Sequence, residues 1–196
     1  MQNTLFLIII KMMFDSSLIT YAVSLHFPED VNEIISSAVS LIAEETGNPF
    51  IIENRIPPHI TIGAFHAARD DEGKVLRLVE DFSRNQKTGL VHFTGIGNFK
   101  EKVLFLKPEK DVFLTEINRK LHELILPEFE KGDNGYYLPD VWFPHTTLAT
   151  RLNQKQFAGA LAIAEKIQLP LKAETCETGF YQCSPFMELK RFTIGD

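Results

Sequence analysis

Short apolar runs alternate with amphipathic stretches along most of the chain. The run SLITYAVSLHF (17–27) is rich in β-branched and aromatic residues, which is typical of a buried strand. LVHFTGIGNF (90–99) and KVLFLKP (102–108) predict two further strands, joined by a turn near Gly97 and Asn98. Two closing strands are expected around 170–182 and 185–194.

Four stretches between these runs have helical spacing. After Pro28 and Asp30, apolar residues recur as on one helical face, and Gly47 is a plausible stop. The residues of that face are Val31, Ile34, Ile35, Ala38, Val39, Leu41 and Ile42. Further helices are predicted at 72–84, 111–126 and 154–167. The expected inward residues of the first two are Val75, Leu76, Val79 and Phe82, then Val112, Ile117, Leu121, Leu124 and Ile125.

The order of these elements repeats. Helix, strand, helix and strand occur in each half of the chain, which indicates a duplicated unit with internal pseudo-symmetry. We therefore predict an α+β fold of two similar lobes. Residues 13–196 would form this single bilobal domain.

The N-terminal run LFLIII (5–10) is too short to span a bilayer. It also lacks the charged region and the cleavage site of a signal peptide. Met12 or Met13 could be the real translation start, so residues 1–12 are expected to be a leader or a wrongly assigned start.

The composition and net charge of the chain limit the classes of protein to which it can belong. Hydrophobic residues make up 44% and charged residues 23% of the chain, as in ordinary globular proteins. The net charge of −6 argues against binding of long duplex nucleic acid, although a local basic cleft stays open. Two cysteines, Cys176 and Cys183, favour a reduced state and a cytoplasmic location. We expect a monomer without a membrane association.

One pattern occurs twice. RIPPHITIGAF (55–65) and VWFPHTTLATR (141–151) each contain proline, histidine, any residue, threonine and then an apolar residue. We call Pro58–Thr61 the first motif and Pro144–Thr147 the second motif. Residues two apart in a strand share a face, so each His–Thr pair projects together, with the alternate residues behind it. The prolines place each motif at a strand start or a sheet edge.

Two histidines at one site suit a reaction that removes one proton and supplies another. With an ordinary pKa near 6.5, one imidazole can act as base while the other is the acid. Threonine hydroxyls can donate hydrogen bonds to oxygens that gain charge, as at a phosphoryl centre. The pattern fits acid–base cleavage of a phosphodiester without a cofactor or metal. Such a reaction predicts a bell-shaped pH dependence of kcat/KM near neutral pH.

A single H-x-T triplet is weak evidence, because chance can supply one in a chain of this composition. A third triplet, His92 to Thr94, lacks the proline and the repeated setting, so we interpret it as an ordinary strand pair. The paired Pro-His-x-Thr motif is the stronger signal.

The two motifs resemble the paired H-x-T signature of the two-histidine (2H) phosphoesterase superfamily, which includes RNA 2′-5′ ligase-like proteins and cyclic phosphodiesterases. The resemblance covers nearly the whole chain from about Met13. It implies two antiparallel-sheet lobes around a central cleft, with no metal or other cofactor. It also implies that His59 and His145 are catalytic and that Thr61 and Thr147 bind phosphate. The implied substrates are 2′-5′-linked or 2′,3′-cyclic phosphates, in a nucleotide or at an RNA end.

The sequence departs from this signature at one position, since polar Thr146 stands where an aliphatic residue is usual. Four neighbouring residues are candidate substrate-binding groups: Arg151 for a second phosphate or a ribose, and Tyr136, Tyr137 and Trp142 for a base. A solvated charge and core aromatics are the alternatives for these positions. Phe65 and His66, just past the first motif, could line the rim of the cleft, but a surface position is favoured for His66.

The two motifs allow rival interpretations. The two histidines could be ordinary strand residues, or two ligands of a zinc ion, although no HExxH motif or nearby cysteine supports the latter. The chain could also be a nucleotide- or RNA-binding module with little turnover, or a reversible 2′-5′ RNA ligase.

Overall fold

A computed structural model describes residues 18–195 of the chain. The expected leader at 1–12 and the start of the predicted domain at Met13 lie outside these residues. The helices are α1 (Glu29–Thr46), α2 (Phe50–Glu53), α3 (Glu72–Arg84), α4 (Val112–Ile125) and α5 (Gln154–Ala164). The strands are β1 (Leu18–His26), β2 (Ile60–Ala68), β3 (Leu90–Phe99), β4 (Val103–Pro108), β5 (Glu130–Lys131), β6 (Thr146–Ala149), β7 (Leu171–Glu174), β8 (Glu177–Gln182) and β9 (Met187–Thr193).

The strands form two antiparallel sheets. One has five strands in the order β5-β2-β1-β8-β9, and the other has four in the order β6-β4-β3-β7. Each sheet holds one motif strand, β2 in the first and β6 at the edge of the second. The predicted α+β class, with two antiparallel sheets and flanking helices, is confirmed.

The chain crosses between the sheets within a stretch that we predicted as one strand. Residues 170–182 divide into β7 and β8, which belong to different sheets. Buried Thr175 lies at the break, where its backbone N–H donates to the Gly89 carbonyl at 2.8 Å and its hydroxyl accepts from the Gly89 N–H at 3.0 Å. The next residue, Cys176, donates its N–H to the His26 carbonyl at 3.0 Å. The single-strand prediction was therefore wrong, because these bonds turn the backbone from one sheet to the other.

The hairpin between β3 and β4 also turns later than predicted. Lys100 and Glu101 form the turn with φ of 50° and 57°, whereas Asn98 still pairs with Leu104. Gly97 lies inside the ladder, where an added Cβ would come within 2.4 Å of the Phe105 ring. This glycine makes room for a side chain and is not a turn residue.

Helix α1 shows which part of the apolar pattern faces the core. Ile35 is fully buried and the helix ends at Gly47 with φ of 63°, as predicted. Ile34 and Leu41, however, are 46% and 52% exposed. Each lies about 100° around the helix from its buried neighbour, so both fall outside the buried stripe.

The other predicted helices agree closely with the structure. Helix α3 has the predicted bounds, α4 differs by one residue at each end, and α5 ends three residues early. Val112 at the start of α4 is 78% exposed, which corrects its predicted inward position. Within residues 18–195, no helix combines the length and the apolar character needed to cross a bilayer.

Replacing Ile35 with alanine should lower the free energy of unfolding by about 2–5 kcal/mol, since it leaves a cavity in the core. The same change at Ile34 should cost less than about 1 kcal/mol, because that side chain is largely in water already. Urea unfolding of the two variants measures both values. Equal losses at the two positions would contradict the assigned helix face.

Candidate active site

Each motif runs into the first residues of a strand and places alternate side chains on opposite faces. Strand β2 begins directly after His59, and β6 begins directly after His145. Behind the motifs, Ile60, Ile62, Thr146 and Leu148 are all buried. This alternation turns each histidine and its paired threonine away from the interior, as the sequence predicted.

The four motif side chains line one cleft. His59, Thr61, His145 and Thr147 all border a cavity of about 1100 Å³ that has residues of both sheets in its wall. The structure thus brings together two segments that are far apart in sequence. A phosphodiester placed in this cleft would have one imidazole available from each sheet.

The two imidazoles are oriented in the same way. Nδ1 of His59 lies 2.7 Å from the Pro57 carbonyl oxygen, and Nδ1 of His145 lies 2.9 Å from the Phe143 carbonyl oxygen. A carbonyl can only accept, so Nδ1 carries the proton and donates it in both rings. In each ring Nε2 is therefore the atom that can accept or deliver a proton.

Burial favours the neutral form of both rings. It lowers the pKa of His59 below the ordinary 6.5, and positive charge on His145 and Arg191 lowers this pKa further. Burial also lowers the pKa of His145. Both imidazoles are therefore mainly neutral near pH 7 in the free protein. In this state either Nε2 can take up a proton.

Trp142 connects the second motif to the first. Its indole Nε1–H donates to the Thr61 carbonyl at 3.0 Å, and its own carbonyl accepts from Lys110 Nζ at 3.0 Å. The ring borders the cleft but is only 3% exposed, as expected of a core aromatic. Trp142 therefore holds the segment before His145 against strand β2.

The two threonine positions differ in their surroundings. Thr61 Oγ1 lies 3.3 Å from Ser24 Oγ, so a neighbouring hydroxyl can orient it. Thr146, the departure from the family signature, is fully buried, and its Oγ1 has no hydrogen-bond partner among residues 18–195. An unsatisfied buried hydroxyl costs roughly 1–3 kcal/mol. The substitution thus affects the interior face and leaves the cleft face unchanged.

A sequence model of the 2′-5′ RNA ligase superfamily matches residues 26–182, a span that includes both motifs. The chain belongs to the 2′-5′ RNA ligase superfamily. This finding confirms the resemblance to two-histidine phosphoesterases that the motifs indicated.

Solved structures share the fold of this superfamily member. E. coli LigT complexed with 3′-AMP has a TM-score of 0.62 at 16% identity, covering 91% of this chain and 99% of that one. TT0787 of Thermus thermophilus has a TM-score of 0.59 at 18% identity, covering 90% of this chain and 98% of that one. No curated protein matches the chain.

The remaining predicted site residues separate into two groups. Tyr137 lines the cleft, and burial raises its pKa to about 12, so its phenol is a neutral donor. Tyr136 also lines the cleft and is 66% exposed. Arg151 instead places its guanidinium 3.8 Å from the centre of the Phe50 ring and is not among the residues that border the cleft. Its substrate-binding role stays a prediction.

Two other histidines named from the sequence are also located. His66, expected at the surface, is half-buried in the cleft wall, with Nδ1 3.1 Å from Thr20 Oγ1. His92 pairs with Lys172 between β3 and β7 and is not a residue of the cleft wall. The third triplet thus behaves as the ordinary strand pair that we predicted.

A buried polar network lies behind the first motif and was not predicted from the sequence. His26 is fully buried, with Nδ1 3.2 Å from the Pro58 carbonyl and Nε2 2.8 Å from the Tyr181 hydroxyl. Glu188 lies 3.0 Å beyond that hydroxyl and accepts from Arg191 at 2.9 Å. The network fixes the carbonyl that directly precedes His59. No local sequence signal indicates it, since His26 and Tyr181 are 155 residues apart.

The proton count of this network follows from its carbonyl end. Pro58 can only accept, so Nδ1 of His26 donates, and the neutral ring then accepts from Tyr181 at Nε2. Burial, with smaller contributions from His59 and Arg191, lowers the pKa of His26 to about 2. The Tyr181 hydroxyl has one proton and can donate it either to His26 Nε2 or to Glu188. While it donates to His26, the Glu188 carboxylate accepts its hydrogen bond from Arg191.

Residues 18–195 contain no group of three or more His, Cys, Asp or Glu residues placed to hold a metal ion. The zinc alternative considered for the two motif histidines thus has no third ligand of these types among the described residues.

His26 should remain neutral, with its proton on Nδ1, from about pH 4 to pH 9 in the folded protein. Two-dimensional ¹⁵N NMR of the imidazole nitrogens measures this directly. In the unfolded chain, His26 binds a second proton near pH 6.5 and becomes charged. The free energy of unfolding should therefore fall as pH drops below 6.5, by up to about 1.4 kcal/mol per pH unit from this residue. His26→Gln should remove that contribution. A midpoint near 6.5 in the folded protein would contradict the buried neutral network.

Proposed function

We propose that this protein is a metal-independent phosphoesterase that cleaves a phosphodiester of a nucleotide or an RNA end, with a 2′,3′-cyclic or 2′-5′ linkage. One of His59 and His145 would remove a proton from the attacking oxygen, and the other would donate a proton to the departing oxygen. Thr61 and Thr147 would hold the phosphate. One observation carries the proposal. Two imidazoles of the same tautomer border one cleft, each with a threonine on the same strand face.

The reaction needs one bond to form and one to break at phosphorus. A neutral imidazole accepts the proton of a ribose hydroxyl or a water, and that oxygen bonds to phosphorus. The other imidazole, in its protonated form, donates its Nε2 proton to the departing oxygen as the original P–O bond breaks. The threonine hydroxyls donate to the non-bridging oxygens, where negative charge grows. Each cycle moves one proton onto the base and one off the acid.

The surroundings of the two rings suggest which is the acid. Burial opposes a proton on both rings, and Arg191 adds positive charge that disfavours a proton on His59 alone. When the pair holds one proton, His145 is the better site for it. We therefore assign the acid to His145 and the base to His59 for the direction of cleavage.

Two related functions use the same side chains. E. coli LigT has been crystallised with 3′-AMP, ATP and NADP+, so a protein of this fold can bind nucleotides, and a binding protein without turnover is an alternative. Reversal of 2′-5′ cleavage would make the protein an RNA ligase with the acid and base roles exchanged. The unpaired Cys176 and Cys183 agree with the reducing, cytoplasmic setting that we propose for these substrates.

In EDTA, the wild-type protein should cleave a 2′-5′-linked dinucleotide or a 2′,3′-cyclic nucleotide. His59→Ala and His145→Ala should each lose roughly 10² to 10⁴ in kcat, since each removes one proton-transfer group. Chromatography of the products measures both rates. The matched control is His92→Ala, which removes the histidine of the triplet outside the cleft and should keep the wild-type rate.

A substrate with a nitrophenolate leaving group separates the two roles, because this group departs without a proton. On a nucleoside nitrophenyl phosphate, His145→Ala should recover most of its lost rate and His59→Ala should not. Binding of the dinucleotide without turnover by the wild type would instead support the binding protein.

A further inference from the structure

Each cleft histidine has a pair of aromatic rings beside it. Next to His145, the buried ring of Phe105 lies 5.2 Å away between centroids, and Phe99 lies 5.1 Å away. The two phenylalanine rings are 4.5 Å apart. Phe105 is an inner ring, whereas Phe99 is 40% exposed and borders the cleft.

The surroundings of His59 repeat this arrangement with different residues. The buried ring of Tyr181 lies 6.4 Å from His59, and Phe186 stacks on Tyr181 at 5.2 Å with an angle of 19° between the rings. Phe186 is half-buried and borders the cleft. Here too an inner ring supports an outer ring that faces the open space.

Both inner rings occupy spaces that a glycine leaves open. An added Cβ at Gly97 would come within 2.4 Å of the Phe105 ring, and one at Gly179 would come within 2.4 Å of the Tyr181 ring. The backbone of each sheet is therefore shaped around its inner ring. The two outer rings rest on fixed supports, one on each side of the cleft.

An exposed aromatic face beside a phosphate site suits a nucleobase. Base stacking on an aromatic ring is favourable for every base, because each presents a π face. Positive charge is close to the ring pair at His145. Lys100 borders the cleft, and Lys107 Nζ lies 6.0 Å from the centre of the Phe143 ring, which is itself 5.9 Å from the Phe99 ring. The cavity of about 1100 Å³ also reaches the upper end of ordinary small-ligand pockets, at roughly 300–1000 Å³.

We infer that the substrate is a phosphodiester linking two nucleosides, with one base stacked on Phe99 and the other on Phe186. The inference rests on the proposed function for the position of the phosphate between His59 and His145. A 2′,3′-cyclic mononucleotide fills only one of the two halves. An internucleotide linkage at the end of a single-stranded RNA fills both.

The test is the affinity of a 2′-5′-linked dinucleotide in which a methylene group replaces the departing oxygen, so that neither internal attack nor water can expel it. Isothermal titration in EDTA gives Kd for the wild type, Phe99→Ala and Phe186→Ala. Each variant should bind roughly 5- to 150-fold more weakly, the loss expected for one stacked base. Leu90→Ala is the matched control, since Leu90 lies on the same strand as Phe99, is similarly exposed and does not border the cleft.

Ligands with one base each show whether the two rings act separately. A dinucleotide that is abasic on one side should respond to only one of the two alanine variants, as should a cyclic mononucleotide. Leucine at either position keeps apolar bulk and should give an intermediate loss, which checks that the alanine variants are folded. Thermal unfolding of all variants provides the same check.

The outcomes for the two proposals differ. If both alanine variants keep the wild-type Kd for the dinucleotide, or if the dinucleotide does not bind, the stacking inference is wrong. Ring-dependent binding of the dinucleotide without turnover of its cleavable form supports the inference and contradicts the phosphoesterase. If the wild type and both alanine variants cleave the dinucleotide equally well, the phosphoesterase is supported and the stacking inference is contradicted. If Phe99 and Phe186 instead bind an apolar protein partner, replacing them with alanine would also leave the affinity for the dinucleotide unchanged.

Discussion

The hydrogen bond from the Trp142 indole to the Thr61 carbonyl ties together two segments that the chain places on different sheets. The proposed acid–base pair can work only if both imidazoles reach the same phosphate, so the spacing between the motifs is the main constraint on the proposed mechanism. Lys110 holds the carbonyl of Trp142, and His26 holds the carbonyl of Pro58. Each histidine is therefore approached by a segment that is itself fixed by a side chain from outside the motif.

The same burial that fixes these rings also sets their protonation. Both cleft histidines are half-buried, and this burial lowers their pKa values and leaves a neutral pair in the free protein. A bound phosphodiester brings a negative charge beside both Nε2 atoms, and such a charge favours protonation of a nearby imidazole. In the proposed mechanism, substrate binding thus helps to generate the acid on His145, while Arg191 keeps His59 available as the base.

Local pattern was enough to predict most elements and the motif pair. Apolar spacing located α3 and α4, and alternation in the two motif strands placed the histidines and threonines on one face. The exposed Ile34 shows the limit of this reasoning, because apolar residues next to a buried stripe look the same in sequence. The turn at Lys100 and the crossing at Thr175 depend on pairing between distant strands, which no short window reveals.

The buried network and the aromatic pairs depend on tertiary structure still more strongly. Tyr181 reaches His26 only because β8 lies next to β1 and because Gly179 leaves space for both side chains. Phe99 and Phe186 border one cleft although they belong to opposite ends of the second half of the chain. The sequence therefore indicated the proposed reacting groups, whereas their support and the candidate base sites required the structure.

The pH dependence of kcat/KM tests the paired-histidine account most directly, because it reports the ionisation of the free enzyme. Since both pKa values are lowered, the account predicts a bell with its maximum below about pH 6.5. Above the maximum the rate should fall about tenfold per unit as the acid loses its proton, and below it as the base becomes protonated. A rate that is constant between about pH 5 and pH 9 would contradict catalysis by His59 and His145.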